Sequence, residues 1–382
     1  MPMTLTSLAD KMKEAYGTEP TYEEVGTTDP EPTVTTGTFT ACAFNVDGLP
    51  SLINSDGPGS SGTTKMAGIA NNLGWDIIAA SEDFEYNSQL VSALTNYSHG
   101  TYRGKVSISQ AFGSVADTDG LNFFWRTSTT SATGETFVEY NDKEGDLYNG
   151  ANTCIKKGFR HYEVTVDAAN NVVIDVYITH MNTYSGSGNT EDSNAYVKAV
   201  LSQLRQLRDY VLTKAKENKR PAIIMGDTNM RYTRHDIKKN FLDVVAAYDS
   251  NAGYTVSDPW VEFYRGGKYP SWNSKSLMIR AHANKDGLSS DIICADDQRG
   301  EVVDKIWYIN VPGAEVQLKA IAHKNDVDNF KKSTTSVTFS GATLEDANGN
   351  VTENQSITYD KVVGYSDHFP VVTTFQWTKT VK

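Results

Sequence analysis

Short, largely apolar runs that end in polar residues recur along the chain. They cover residues 39–44, 75–81, 172–178 and 222–225, and the polar residues that follow them are Asn45 and Asp47, Glu82, His180, and Asp227. Apolar runs of this length, bounded by turn residues, are typical of buried strands. Because strands of one sheet can deliver their ends to a common edge, we expect these distant segments to build one site.

Helical periodicity is clearest between residues 193 and 217. Apolar residues recur there every three or four positions, at Tyr196, Val200, Leu204, Leu207 and Val211. Such a stripe predicts a helix packed on the core and does not indicate a cofactor site. A second helix is predicted at 236–247, and shorter ones at 5–16, 65–73 and 88–94.

The late part of the chain predicts strands at 302–310, 315–323, 336–340 and 369–377, with a hairpin tip at 344–356. Strands with helices between and beyond them predict an α/β fold of two mixed sheets packed face to face, with helices outside. Residues 19–37 are rich in Pro, Thr and Glu, which indicates a linker or an extended arm. We therefore predict an N-terminal helix and arm, 1–37, and one domain, 38–382.

Composition narrows the class of partner. Of 382 residues, 39% are hydrophobic and 21% are charged, as in ordinary globular proteins, and the net charge is −12. This charge argues against broad contact with a nucleic-acid backbone, because such contact depends on Lys and Arg neutralising phosphates. It leaves open a small phosphate substrate that is reached through bound cations. The three cysteines are too few for a disulfide framework, and without a CxxC pair they indicate no zinc site.

The sequence predicts no membrane span, because no apolar run approaches the roughly 18–20 residues that a spanning helix needs. Its richness in Thr, Ser, Asn and Tyr favours a secreted or cell-surface protein, although no signal peptide is recognisable in it. We expect a monomer.

Two short motifs carry the most chemistry. In the segment 226–229, Asp227 and Asn229 lie two residues apart after a strand, so both can point into one site. The carboxylate could orient a water or bind Mg²⁺, and the amide could hold a phosphoryl oxygen; the alternative is a polar turn that closes a buried strand. Asp367 and His368 set a carboxylate beside an imidazole, although the tripeptide that contains them is also common in loops.

Each remaining polar residue has a structural interpretation beside the functional one. Glu82 is a ligand for a hard cation or a solvated loop residue, and Asn45 and Asp47 are ligands or part of a turn. His180 is a site residue or a structural histidine. Asp304 can partner an imidazole, fixing its tautomer and favouring its charged form, or can form a surface ion pair.

Taken in order along the chain, these motifs resemble those of the endonuclease/exonuclease/phosphatase family. That family includes deoxyribonuclease I, abasic-site endonucleases, inositol polyphosphate 5-phosphatases and neutral sphingomyelinases. The similar segments are 44–49, 81–82, 179–180, 226–229, 304–306 and 366–368. Together with residues 157–159, the segment 226–232 is most similar to a secreted microbial and fungal branch of the family.

The resemblance implies a DNase I-like four-layer α/β sandwich and Mg²⁺-dependent cleavage of a phosphate ester, with Mn²⁺ or Ca²⁺ as alternative ions. The roles it implies are metal binding by Asn45 and Glu82 with Asp47 and Asp367 nearby, positioning or deprotonation of the attacking water by Asp227, phosphate binding by Asn229, donation to phosphoryl oxygens by His180, and an acid–base dyad of Asp304 and His368. Phosphoryl transfer needs positioning and charge neutralisation more than covalent help, so a metal ion with these groups suits it.

A candidate substrate loop covers residues 254–272. Its aromatic side chains could stack on a sugar, inositol or choline group while its basic side chains meet phosphate; the alternative is a folded flap with its own small core. The candidate substrate-binding residues are Arg231, Trp260, Tyr264, Arg265, Lys268 and Trp272.

The substrate itself is less constrained. His180 and the pair Asp367 and His368 favour sphingomyelinase-like cleavage at a lipid headgroup or an inositol phosphate, although the polar segment 334–360 offers no clear apolar segment for entering a bilayer. The alternatives are a DNase I-like nuclease, an inositol polyphosphate phosphatase, and a non-catalytic binding module on the same scaffold. The presence of both His180 and His368 favours an enzyme, because a binding module need not keep both.

Overall fold

The computed structural model describes residues 32–106, 116–146, 149–272, 301–345 and 350–381. Within these ranges, the residues from Val34 to Lys379 form a main unit. The predicted helix 5–16 and most of the predicted arm 19–37 lie outside the described residues. The predicted division between residues 37 and 38 stays a prediction.

The strands of the described residues are β1 (Thr33–Asn45), β2 (Ile77–Ser81), β3 (Tyr97–His99), β4 (Asn122–Arg126), β5 (Ser131–Glu139), β6 (Gly158–Asp167), β7 (Val172–His180), β8 (Ala222–Asp227), β9 (Thr255–Ser257), β10 (Asp304–Asn310), β11 (Val316–Asn325), β12 (Lys331–Glu345), β13 (Val351–Gly364) and β14 (Val371–Val381). The helices are α1 (Gly59–Leu73), α2 (Asn87–Ala93), α3 (Ala195–Asn218), α4 (Asp243–Ala246), α5 (Tyr248–Asn251), α6 (Pro259–Arg265) and α7 (Val327–Phe330), with a π-helical turn at Lys238–Leu242.

Two mixed six-stranded sheets form the centre of the main unit. The first has the order β11-β14-β1-β2-β4-β3, and the second has the order β5-β6-β7-β8-β10-β9. Strands β12 and β13 form a separate two-stranded ribbon. The predicted α/β architecture of two mixed sheets flanked by helices is therefore confirmed.

Strand β8 shows why the short apolar runs are strands with two buried faces. Its residues Ile223 and Met225 join the core that the two sheets share, whereas Ala222 and Ile224 pack in the core that contains the apolar face of α3. Because successive side chains of a strand point to opposite faces, a strand covered on both sides must be apolar throughout.

Helix α3 confirms the strongest periodicity in the sequence. The predicted stripe residues Val200, Leu204, Leu207 and Val211 are buried against the outer face of the second sheet. The helix begins after Asn194, whose side chain accepts hydrogen bonds from the backbone N–H groups of two residues in the first turn. An Asn at this position satisfies donors that have no partner inside the helix.

Three predicted elements differ from the structure. The hairpin tip predicted at 344–356 is shorter, because β12 extends to Glu345 and β13 begins at Val351. The helix predicted at 236–247 is a π-helical turn at Lys238–Leu242 followed by the single turn α4. The strand predicted at 336–340 is part of the much longer β12, which pairs with β13. Described side chains of this ribbon are mostly exposed, so no buried face imposes the apolar alternation that marks a strand in the sequence.

None of the helices in the described ranges combines the length and the apolar character that a membrane crossing requires.

Candidate active site

Strand pairing aligns three of the candidate residues in the second sheet. Strand β8 pairs in parallel with β7 and antiparallel with β10, and its last residue Asp227 stands opposite His180 on one side and Asp304 on the other. In the first sheet, β1 and β2 are parallel and Asn45 stands opposite Ser81, the residue before Glu82. The register of both sheets therefore brings the predicted polar strand ends to one edge.

Asn45 connects the two sheets at this edge. Its Nδ2 donates to Glu82 Oε1 at 3.0 Å and to Asp227 Oδ2 at 3.0 Å. Its Oδ1 accepts from the backbone N–H of Asp47 at 3.0 Å. One buried amide thus fixes two carboxylates, which lie on different sheets, and the turn that follows β1.

The glycine before Asp227 is required by the close approach of β8 to β7. Gly226 has a φ of 137°, and a Cβ at this position would lie 2.0 Å from the backbone oxygen of Thr179. Residues other than glycine rarely adopt such a φ, and a Cβ atom cannot lie so close to a backbone oxygen.

Three candidate residues adopt the left-handed backbone region that favours glycine. The φ values are 49° for Asp47, 59° for Glu82 and 53° for Asn229. Such conformations are uncommon for residues with a side chain and cluster at functional sites, where the surrounding structure holds them in place. The backbone N–H of Asn229 donates to Asp227 Oδ1 at 2.9 Å, and Asn54 Nδ2 donates to Asp47 Oδ1 at 2.6 Å.

His368 is paired with Asp304, as the resemblance implies. Its Nδ1 lies 2.6 Å from Asp304 Oδ2, and its Nε2 lies 3.9 Å from both Asp227 Oδ2 and Asp367 Oδ1. Burial disfavours the charged imidazole, but the carboxylates of Asp304 and Asp367 together raise the pKa of His368 well above its usual value. We therefore expect a protonated imidazole at neutral pH, with Nε2–H directed towards the cluster of Glu82, His180 and Asp227.

His180 is buried at the same point. Its Nε2 lies 3.7 Å from Asp227 Oδ2 and 3.9 Å from Glu82 Oε1, and neither ring nitrogen has a hydrogen-bond partner among the described residues. Burial, and next the charge of Lys157, lowers the pKa of His180 to about 3, so the ring is neutral. A buried imidazole without partners favours a role with a ligand, because structural buried histidines are normally hydrogen-bonded.

The carboxylates of the cluster differ in their proton affinity. Burial favours the neutral acid at Asp227, but the charge of His368, the Asn45 amide and the Asn229 backbone N–H together lower its pKa below the usual value. Burial, followed by the charges of Asp367 and Asp47, raises the pKa of Glu82 to about 7. Glu82 therefore lies among like charges that a bound cation would compensate.

The structure has side chains that could bind a metal ion. Two overlapping groups offer ligand atoms within 4.8 Å of one another, namely Glu82 with His180 and Asp227, and Asp227 with Asp304 and His368. Carboxylate and amide oxygens suit hard divalent cations. The crowding of carboxylates around Glu82 is the observation that fits such an ion.

Reasoning from the sequence missed a role for Lys157 and Ser366. Lys157 Nζ donates to Met181 O at 2.6 Å, and Asn229 Nδ2 donates to the same oxygen at 3.1 Å. Burial lowers the pKa of Lys157 to about 8, against the opposing charges of Asp227 and Glu82. The lysine before β6 was visible in the sequence only as part of segment 157–159.

Ser366 anchors the turn that carries the dyad. Its Oγ donates to Asn45 O at 2.8 Å and accepts from the backbone N–H of His368 at 3.1 Å. The first residue of the 366–368 tripeptide thus connects this turn to the end of β1.

The candidate substrate loop is packed more tightly than the sequence predicts. The Trp260 ring is 5% exposed and stacks on Tyr232, and Arg265 is also buried, with its guanidinium 5.8 Å from the Trp260 ring. Both side chains are buried where helix α6 packs on the rest of the chain, so they expose little surface to a substrate. Trp260 belongs to the same core as the apolar face of α3, so the loop does not have a separate core of its own.

The other predicted substrate-binding residues are spread over this region. Tyr264 donates its hydroxyl to His323 O at 2.8 Å, and Lys268 accepts at its backbone oxygen from Arg265. Trp272 is 41% exposed, and Arg231 is buried two residues after Asn229. Their predicted contacts with substrate stay predictions.

No protein-family model matches the sequence, and a search of curated proteins gives no match. Solved structures do match. An endonuclease/exonuclease/phosphatase family protein from Bacteroides thetaiotaomicron has 14% identity and a TM-score of 0.53, and the match covers 90% of this chain and 96% of that one. D. rerio TDP2 in complex with a single-stranded DNA product has 13% identity and a TM-score of 0.51, over 88% and 98% of the two chains.

Sphingomyelinase C from Streptomyces griseocarneus has 14% identity and a TM-score of 0.50, over 88% of this chain and 99% of that chain. At these identities the matches show the fold. The described chain therefore has the DNase I-like fold of the endonuclease/exonuclease/phosphatase proteins, as the six sequence motifs predict.

Proposed function

We propose that this chain, which has the fold of the endonuclease/exonuclease/phosphatase proteins, is a Mg²⁺-dependent hydrolase of phosphate esters. The observation that carries the proposal is the surroundings of Asp227 Oδ2. It lies 3.0 Å from the Asn45 amide, 3.7 Å from His180 Nε2 and 3.9 Å from the Nε2 of a histidine that is paired with Asp304. The ends of β1, β7 and β10 and the turn 366–368 thus converge on the carboxylate at the end of β8.

The metal ligands in this proposal are Glu82 and Asn45, with Asp47 and Asp367 nearby. Their fit rests on the pKa of Glu82, which burial and the two neighbouring carboxylates raise to about 7. When bound there, a Mg²⁺ ion would neutralise charge on the phosphate as a Lewis acid. Mn²⁺ and Ca²⁺ are alternatives, because both also prefer oxygen ligands.

The remaining residues bind the phosphate and move protons. Asp227, ionised at neutral pH, can orient a water and accept its proton. The neutral His180 can donate a hydrogen bond to a phosphoryl oxygen. Asn229 has one amide hydrogen left beside the bond to Met181 O and can donate it to phosphate. His368, charged and held through Nδ1 by Asp304, can donate the Nε2 proton to the leaving oxygen.

We propose a phosphodiester substrate with a lipid headgroup or an inositol phosphate. The likeness to a sphingomyelinase C supports this choice, and the net charge of −12 counts against broad contact with a nucleic-acid backbone. The likeness to TDP2 bound to single-stranded DNA keeps nuclease activity as the main alternative, with inositol polyphosphate phosphatase activity as another. We also propose that this protein is secreted or attached to the cell surface.

The first test is hydrolysis of bis-p-nitrophenyl phosphate by the purified chain. We expect turnover with Mg²⁺, its loss in EDTA and its recovery when Mg²⁺ is returned. His368→Ala should lower kcat at least about a hundredfold, as expected of a group that transfers a proton in the transition state. Absent turnover, or turnover that EDTA does not change, would contradict the proposal and favour a binding module.

The second test separates the substrates. Sphingomyelin vesicles, phosphoinositide vesicles, soluble inositol phosphates and DNA are compared at equal phosphate concentration with the same enzyme preparation. We expect the highest kcat/KM on a lipid headgroup or an inositol phosphate. A higher value on DNA would contradict that choice and support the nuclease.

A further inference from the structure

A small cavity lies beside Asp304, between the two sheets and helix α6. Residues of β10, β11, β14 and α6 line it, among them Asp304, His323, Asn325, Trp260 and Val371. Its volume is about 10 Å³. A buried polar cavity of about 10–15 Å³ accommodates one water molecule. The cavity therefore has room for a single water and for little else.

Asp304 Oδ1 and His323 Nε2 are buried polar atoms of the lining without a hydrogen-bond partner among the described residues. The other polar atoms of the two side chains are engaged, since Asp304 Oδ2 contacts His368 and His323 Nδ1 lies 2.9 Å from Thr373 Oγ1. An unsatisfied buried polar atom costs roughly 1–3 kcal/mol, so native proteins usually fill such a site with water.

The hydrogen-bonding capacities of the two groups are complementary to those of one water. Burial, and next the charge of Lys305, lowers the pKa of His323 to about 3, so the ring is neutral and has one N–H. When the Thr373 hydroxyl donates to Nδ1, the hydrogen is on Nε2. An ionised Asp304 only accepts. A water that accepts from His323 Nε2 and donates to Asp304 Oδ1 satisfies both.

We propose that His323 is a positioning residue that holds Asp304, through one buried water, in the orientation that receives His368 Nδ1–H. A carboxylate that is bonded through only one oxygen can turn about its terminal torsion, whereas a bond to each oxygen fixes its plane. Asp304 then keeps the imidazole of His368 directed at Asp227. The effect on catalysis rests on the proposed function, but the bridging water does not.

The direct test is a crystal structure of the wild-type chain at a resolution that shows ordered water. We expect one water in this cavity, within hydrogen-bond distance of both Asp304 Oδ1 and His323 Nε2. An empty cavity, or a water that contacts only one of these atoms, would overturn the proposal.

A matched pair of variants tests the effect on turnover. In His323→Gln the side-chain amide reaches about as far as Nε2 and keeps a donor at the cavity, whereas in His323→Asn the amide replaces Nδ1 and keeps only the contact with Thr373. We expect His323→Gln to keep kcat within about threefold and His323→Asn to lower kcat about tenfold, with KM changed less than twofold in both. Wild-type kcat in His323→Asn, or equal losses in both variants, would contradict a role through the cavity.

A double-mutant cycle on stability keeps the two proposals apart. The free energies of unfolding are measured for wild type, His323→Asn, Asp304→Asn and the double variant. We expect the double change to differ from the sum of the single changes, because both residues share one water. Additive changes would refute the link. A wild-type chain without phosphoesterase activity would refute the proposed function. This cycle and the crystal structure would still show whether a water bridges Asp304 and His323.

Discussion

At the scale of single residues, Asp227 is the group on which the proposed chemistry depends most. Its Oδ1 accepts from the Asn229 backbone and its Oδ2 from the Asn45 amide, so its orientation is fixed from two sides. The imidazoles of His180 and His368 face the same oxygen. The sequence alone also allowed a polar turn here, and the structure adds that side chains from three other segments surround this carboxylate.

We predict that Asp227→Asn lowers kcat on bis-p-nitrophenyl phosphate at least about a hundredfold, because an amide cannot accept the proton of a water. The control is Asp243→Asn on helix α4, where the carboxylate pairs with Lys238 at the surface and contributes little to stability. Both variants should keep the circular dichroism spectrum of the wild type. A kcat within threefold of the wild type in Asp227→Asn would remove this residue from the mechanism.

His235 gives a pH prediction outside the cluster. It is fully buried, and its Nδ1 accepts from the backbone N–H of Arg231 at 3.2 Å. Burial, and next the charge of Arg234, lowers its pKa to about 3, below the value of about 6.5 in the unfolded chain. The unfolded state therefore binds more protons between these values, and the contribution of this histidine to stability is lost as the pH falls below about 6.5.

We expect His235→Asn, whose side-chain oxygen can still accept from Arg231, to lose less stability than the wild type between pH 7 and pH 4.5. One proton corresponds to about 1.4 kcal/mol per pH unit, so the two losses should differ by about 2.5 kcal/mol. Urea unfolding at the two pH values measures this difference. Parallel losses in both proteins would show that His235 is not buried as a neutral ring.

At the scale of elements, the contact between β7 and β8 depends on a glycine. We predict that Gly226→Ala strongly lowers both stability and activity, because its Cβ would lie 2.0 Å from Thr179 O. The matched control is Gly68→Ala in α1, where an added Cβ meets no atom within 4 Å. That change should stabilise the chain by roughly 0.5–1 kcal/mol, because alanine is the better helix former. Thermal unfolding of the two variants compares them, and an unchanged melting temperature in Gly226→Ala would contradict the close approach.

The elements that the sequence predicted best have a strong local pattern. Strand β8 and helix α3 carry continuous or regularly spaced apolar residues, because both are covered by other layers. The ribbon of β12 and β13 was predicted only in part. Its described side chains are mostly exposed, so its strands are formed by pairing with each other and leave no apolar pattern in the sequence.

At the scale of the whole molecule, the proposed ion should stabilise the folded chain. We predict that Mg²⁺ raises the melting temperature of the wild type by several degrees, since an ion at about 100 times its Kd adds about 2.7 kcal/mol. Glu82→Gln should lose most of this rise. In EDTA this variant should melt no lower than the wild type, because burial and the charges of Asp367 and Asp47 disfavour the ionised Glu82. A wild type without a Mg²⁺ shift, or an unchanged shift in Glu82→Gln, would contradict this metal site.

The sequence by itself determined the α/β architecture and the residues at the strand ends, because burial on both faces of a sheet and the turns after it impose local patterns. The residue types in segments as short as 226–229 and 366–368 were enough to predict candidate site residues, without information on which segments lie beside them. Only the tertiary structure decided that His368 Nδ1 lies 2.6 Å from Asp304, that Lys157 reaches the site, and that Trp260 is core. These outcomes depend on strand register and on the packing of one sheet against the other, and such contacts between distant segments leave no periodic pattern along the chain.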